Sequence, residues 1–115
     1  MLMRALVVLT PQMYRQAISL FLRSERPAID VRSANPLDLE RECALFEPHL
    51  LICHDGVSED ARNRAFCLLE IRYSDGMDAL VKAKGKASRK IEDIEMEDLL
   101  AIVDETVGVI STRSD

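Results

Sequence analysis

Two short apolar runs, Ala5 to Leu9 (ALVVL) and Leu50 to Cys53 (LLIC), break the pattern of the chain, because neither alternates with polar residues and each is closed by polar or turn residues. Runs of this length and make-up predict strands buried on both faces, as in the interior of a parallel sheet covered by helices. Strand 1 is read over 4–9 and strand 3 over 50–53. Between them, Pro11 suits the first turn of a helix, where its missing N–H is not needed. Met13, Ala17, Leu20, Phe21 and Ser24 then recur at helical spacing, with Arg15, Gln16 and Arg23 on the other side. That predicts helix 1 with the first set inward, ending before Pro27. Ala28 to Ala34 alternates, with Ile29 and Val31 on one face, and reads as a half-exposed strand 2 at a sheet edge. After the Asn35-Pro36 turn, Leu37 to Phe46 predicts helix 2. Its inward residues are Leu39, Cys43 and Phe46, and Asp38, Glu40, Arg41 and Glu42 face out, with Pro48 closing it. Three strands separated by helices require crossovers and a parallel set.

The second half changes character. Val57 to Ala65 is polar, and Ser58 can cap a short helix with Glu59 and Asp60 in its first turn. Phe66 to Tyr73 alternates Cys67, Leu69, Ile71 and Tyr73 against Leu68, Glu70 and Arg72. Ser74-Asp75-Gly76 is a turn signal, and Ala79 to Lys84 alternates again. The gap between these strands is too short for a parallel crossover, so they are expected to pair as an antiparallel hairpin. Gly85 to Ser88 turns the chain once more, and Arg89 to Ile94 reads as a third short strand. The last helix is read over Met96 to Thr106 with Leu99, Leu100, Ile102 and Val103 inward. Gly108 is expected at its C-cap and 109–115 as a frayed tail.

With 115 residues, one domain with one core is expected. The chain has no Trp, two Tyr and three Phe, so that core must be aliphatic. A net charge of −5 argues against nucleic-acid binding by bulk charge. Cys43, Cys53 and Cys67 show no zinc or redox spacing. An odd cysteine count and the absence of a signal-peptide pattern point to a cytoplasmic setting, and no run reaches the length of a membrane span.

Few residues offer chemistry. Cys53, His54 and Asp55 are adjacent, but neighbours on a strand point to opposite faces, which works against a catalytic trio. His54, Asp55, Glu59 and Asp60 match no established metal-ligand spacing, so no metal is expected. Nor is any cofactor: LTPQMYRQ after strand 1 holds no glycine, which disfavours a nucleotide cradle. Lys82, Lys84, Lys86, Arg89 and Lys90 form the one basic cluster. Lys82 and Lys84 share a face of the hairpin, so the cluster could meet a phosphate or an acidic partner; the favoured reading is a charged edge that resists aggregation, neutralised by the acidic run Glu92 to Asp98.

The order of elements resembles the receiver domains of two-component response regulators, whose flavodoxin-like fold accepts phosphate on an aspartate after strand 3. RALVVLTPQMYRQAISLFLRSERPAIDV is similar to a receiver's first strand, helix and second strand, and EPHLLICHDG to the run into its phosphorylation site. The resemblance covers roughly residues 4–56 and the rest only in part. It implies an acidic pair after strand 1 to hold Mg²⁺, but those positions are Leu9, Thr10 and Pro11. It puts the phosphoacceptor on His54, or on Asp55 with a one-residue slip, and it matches Ser74 and Lys82 to a receiver's hydroxyl and lysine. Phosphoryl transfer to a carboxylate depends on the metal to offset charge repulsion.

The expected architecture is therefore a three-layer α/β fold, receiver-like. Parallel strands 2-1-3 are extended by an antiparallel hairpin of strands 4 and 5, and a fourth helix is missing. The expected function is non-catalytic: a degenerate, unphosphorylated regulatory or protein-interaction module, with a homodimer through the 66–84 hairpin or the last helix as one form of contact. Two alternatives stand beside it. One is a phosphoreceiver using Asp55, and the other is a small ligand-binding protein or enzyme with a pocket past strands 1 and 3 at Thr10, His54 and Asp55.

Overall fold

The computed structural model describes residues 2–54, 63–72 and 78–113. Its elements in chain order are β1 (Arg4–Val8), α1 (Gln12–Glu25), β2 (Asp30–Ser33), a 3₁₀ turn (Pro36–Asp38), α2 (Leu39–Phe46), β3 (Leu50–His54), β4 (Cys67–Arg72), β5 (Asp78–Ala83), β6 (Arg89–Ile91) and α3 (Met96–Arg113). The strands form one six-stranded sheet in the order β2-β1-β3-β4-β5-β6. β1 pairs in parallel with β2 and β3, as the apolar runs imply. β4 also joins β3 in parallel, with Leu51 opposite Leu68, so the parallel set is one strand larger than expected. β4 and β5 pair antiparallel, Leu68 facing Lys82, and β6 adds to β5 over Ala79 to Val81.

Alternation along the two central strands divides the core between the faces of the sheet. Ala5, Val7, Leu9, Leu50, Ile52, Leu69 and Ile71 pack against Ile18 and Leu22 of α1 and Leu99, Ile102, Val103 and Ile110 of α3. Leu6, Val8, Leu51, Cys53 and Leu68 pack against Leu39, Cys43 and Phe46 of α2. The sheet is thus a middle layer with helices on both sides.

Helix α1 corrects the sequence reading. Its buried residues are Ile18, Ser19 and Leu22, whereas Met13 and Leu20 are 69 % and 64 % exposed and Ala17 and Ser24 are also exposed. Both faces of this helix carry apolar residues, so helical period alone does not choose between them. The face built on Ile18, Phe21 and Leu22 offers larger, stiffer side chains to the sheet. Helix α3 departs in another way. It continues past Gly108 to Arg113, because Ile110, 3 % exposed, extends the buried stripe of Leu99, Ile102, Val103 and Thr106 by another turn. The helical segment therefore includes most of the stretch expected to fray. At its start, Asp98 accepts a hydrogen bond from the Glu95 N–H at 2.8 Å, closing an N-terminal turn.

The sheet edges are guarded. On β2, the Arg23 guanidinium donates to the Val31 carbonyl through Nη2 at 2.8 Å and Nε at 3.3 Å, covering a free acceptor of the edge. β6 is three residues long and carries Arg89 and Lys90. It covers much of the outer edge of β5, so the hairpin offers little open edge for strand addition by a second copy. Among the described residues, no helix is long and apolar enough to cross a membrane.

Candidate functional site

In open parallel α/β sheets, ligands favour the crevice past the carboxyl ends of the strands where the chain order reverses. Here that place lies beyond β1 and β3. The register sets Val8 beside Cys53, so Thr10 and His54 emerge together. Thr10 Oγ1 and His54 Nε2 lie 2.9 Å apart in a hydrogen bond at a solvent-accessible position. Arg15 Nη1 donates to the Leu9 carbonyl at 3.3 Å, tying the start of α1 to the end of β1. The pair is a neutral hydroxyl and an imidazole, with no carboxylate at the Leu9, Thr10 or Pro11 positions. Asp55 and Ser74, and with them Glu59 and Asp60, lie outside the described residues. Among the described residues, no three His, Cys, Asp or Glu side chains converge as a metal site would require.

Lys82 is not brought to Thr10 and His54. It sits opposite Leu68, and Leu68 opposite Leu51, near the start of the parallel strands and on the α2 side of the sheet. There it meets Lys84, Lys86, Asn63 and Ser88 around a concavity of about 320 Å³ floored by Phe66 and Leu68. The acidic run does not neutralise this group as the sequence suggests. Arg89 pairs with Glu105 on α3 at 2.6 Å and Lys90 with Asp78 at 3.6 Å. Lys84 Nζ lies 5.2 Å from the Phe66 ring centroid, a cation–π contact. Lys82 and Lys86 make no ion pair with a described carboxylate.

The same end of the sheet is organised by a residue that the sequence pattern did not single out. His49, 4 % exposed, precedes β3. Its Nδ1 accepts the Arg4 N–H at 2.9 Å, its own N–H donates to the Arg4 carbonyl at 2.8 Å, and its carbonyl accepts from Cys67 N–H at 2.9 Å. One residue thereby links β1, β3 and β4. Its ring stacks on Phe66 with centroids 6.0 Å apart and planes 13° from parallel. Arg4 Nε in turn donates to the Phe46 and Glu47 carbonyls, anchoring the end of α2. Burial, with a smaller push from Arg4, holds the His49 imidazole below the usual histidine range, so it stays neutral and able to accept. The only visible signal was a histidine set directly before an apolar run, which is the ordinary context of a core residue.

Glu70 is the other surprise. It falls in the alternating row with Leu68 and Arg72, and it is 2 % exposed, in register with Cys53, and bonded to Arg72 Nη2 at 3.3 Å. The cysteines behave as packing groups: all three are buried and outside any disulfide, and burial pushes the Cys43 and Cys67 thiols up, away from the reactive thiolate. Comparison with protein-family models, with curated proteins and with solved structures returns no match to this chain.

Proposed function

We propose that this chain is a receiver-like module that is not phosphorylated and acts by contact with a protein. The single observation that carries this reading is the Thr10–His54 hydrogen bond at the ends of β1 and β3. Where a receiver would gather carboxylates around Mg²⁺, this chain sets a hydroxyl against an imidazole, and neither can replace two acidic ligands. The parallel order β2-β1-β3-β4 supports a receiver-like ancestry. The antiparallel β5, which takes the place of a helix and a fifth parallel strand, marks where the chain departs from it. Met13 and Leu20 on α1, Leu45 on α2 and Leu37 in the 3₁₀ turn before it are exposed apolar side chains.

The test is incubation of the full chain with acetyl phosphate and Mg²⁺, followed by intact mass spectrometry. The expected result is an unchanged mass. A covalent phosphate adduct that disappears in Asp55→Asn overturns the reading in favour of a working phosphoreceiver.

The Thr10–His54 pair also favours a second reading, a small-ligand site past β1 and β3. Its test is a thermal-shift screen against nucleotides, flavins and divalent metals. Stabilisation by several degrees that is lost in His54→Ala supports that site, and a flat screen removes it.

A further inference from the structure

Three lysines converge on one hollow at the base of the hairpin, and local backbone geometry brings them there. Lys82 and Lys84 are two residues apart on an extended strand, so they share a face. The Lys84 N–H donates to the Phe66 carbonyl at 2.9 Å, which extends the β4–β5 pairing one step beyond β5. The chain then turns over Ala83 to Lys86, closed by the Lys86 N–H donating to the Ala83 carbonyl at 3.1 Å. Gly85 takes φ +81°, a conformation open to glycine and strained for most other residues, and this folds Lys86 back toward the same hollow.

The charge is local and runs against the sign of the whole chain, which carries −5. Arg89 and Lys90 are not in the lining of the hollow and are paired with Glu105 and Asp78. Lys82, Lys84 and Lys86 line it, with Asn63 and Ser88 adding an amide and a hydroxyl. Its volume of about 320 Å³ is at the small end of ligand sites. Among the described residues its cations are all lysines, whose ammonium groups act as point charges able to hold a tetrahedral phosphate. Phe66 is already engaged by the His49 ring and by Lys84, so the hollow recognises charge and not an aromatic base.

We infer that the hollow at the base of the β4–β5 hairpin binds a small phosphate-bearing anion through Lys82, Lys84 and Lys86. This does not rest on the reading of the Thr10–His54 end, because reversible binding here leaves the mass of the chain unchanged.

The experiment is calorimetric titration of the full chain with pyrophosphate at fixed ionic strength. Saturable binding is expected, weakened about tenfold or more when Lys82 and Lys86 are both changed to Gln, as loss of charge-assisted bonds predicts. Lys90→Gln, which removes one of the chain's other ammonium charges, from a lysine not in the lining, is expected to leave the affinity within about twofold. All of these lysines are exposed, and circular dichroism confirms that the variants are folded. Absence of saturable binding at millimolar pyrophosphate overturns the proposal. So does equal weakening in Lys90→Gln, which would mean attraction by bulk charge, and so does citrate binding as tightly as pyrophosphate.

Discussion

The chain has two histidines, and β3 runs between them. His49 lies before its first residue and is buried. His54 is its last residue, half-buried and bonded to Thr10. The same side chain on the same strand performs two different tasks, and the difference is where the polar partners come from. At the entry, the partner is the backbone of β1, which must be satisfied because it sits inside the fold. At the exit, the partner is a side chain beside water, where either group can hydrogen-bond to solvent. Sheets of this class place their ligands at the exit. In this molecule the described exit pairs a hydroxyl with an imidazole, and three lysines, Lys82, Lys84 and Lys86, gather beyond the entry.

The strongest way to break this comparison is His49→Ala. It strands the Arg4 N–H in the fold at a cost of about 1–3 kcal/mol, and removes an aromatic stack worth about 1 kcal/mol. The expected loss is about 2–4 kcal/mol, which chemical denaturation measures directly. His49→Asn keeps an acceptor near the Nδ1 position and is expected to recover part of that loss. A loss no larger than that of a surface substitution would show that His49 does not hold β1, β3 and β4 together.

The second effect is pH-dependent. The His49 pKa is lowered by burial, so the unfolded chain takes up a proton before the folded one does. The stability tied to neutral His49 is fully present above the unfolded value of about 6.5, and is lost as pH falls from there through the lower folded value. Protonated His49 can no longer accept from Arg4. Midpoints of urea unfolding are expected to fall between neutral and mildly acidic pH in the native chain, and to fall less in His49→Asn. Identical profiles for the two chains would place the acid sensitivity elsewhere.

A smaller effect tests whether the entry end is one packed unit. Phe66 touches both the His49 ring and the Lys84 ammonium. Phe66→Leu keeps apolar bulk but loses both ring contacts, and about 1 kcal/mol of destabilisation is expected. In the His49→Ala background the same change is expected to cost less, because the stack is already gone. Strict additivity would separate the two residues.

Much of the fold was legible because burial leaves a strong pattern. ALVVL and LLIC have no polar alternation, and both became central strands covered on both faces. The alternating pairs after residue 66 became the hairpin. Helix α1 was read correctly at Phe21 and misread at Met13, Ala17, Leu20 and Ser24, because these recur with a helical period like that of Ile18 and Leu22, and only the packing against the sheet distinguishes the faces. Gly108 was misread because a local stop signal yields when Ile110 still has a core to enter. Of the site residues, Thr10 and His54 were visible as strand ends, and their contact follows from the parallel register. His49 was not visible, since its role depends on the backbone of Arg4, forty-five residues away. The basic cluster was visible, but the ion pairs of Arg89 with Glu105 and Lys90 with Asp78 join residues distant in sequence, so the neutralising partners were misassigned.

The smallest effect is at the exit. The Thr10–His54 bond is solvent-accessible, and either group can turn to water when the other is removed. Thr10→Val keeps the shape of the side chain without the hydroxyl, and His54→Ala removes the imidazole. Each is expected to cost about 0.5 kcal/mol, the low end for an exposed hydrogen bond. A double-mutant cycle is expected to give a coupling of similar size. Coupling of several kcal/mol would show that the pair is held as rigidly as His49 and Arg4. Rigidity of that order in a half-exposed hydroxyl–imidazole pair would favour the ligand-site reading of this end over the contact-module reading, because a structural role already has the buried histidine to serve it.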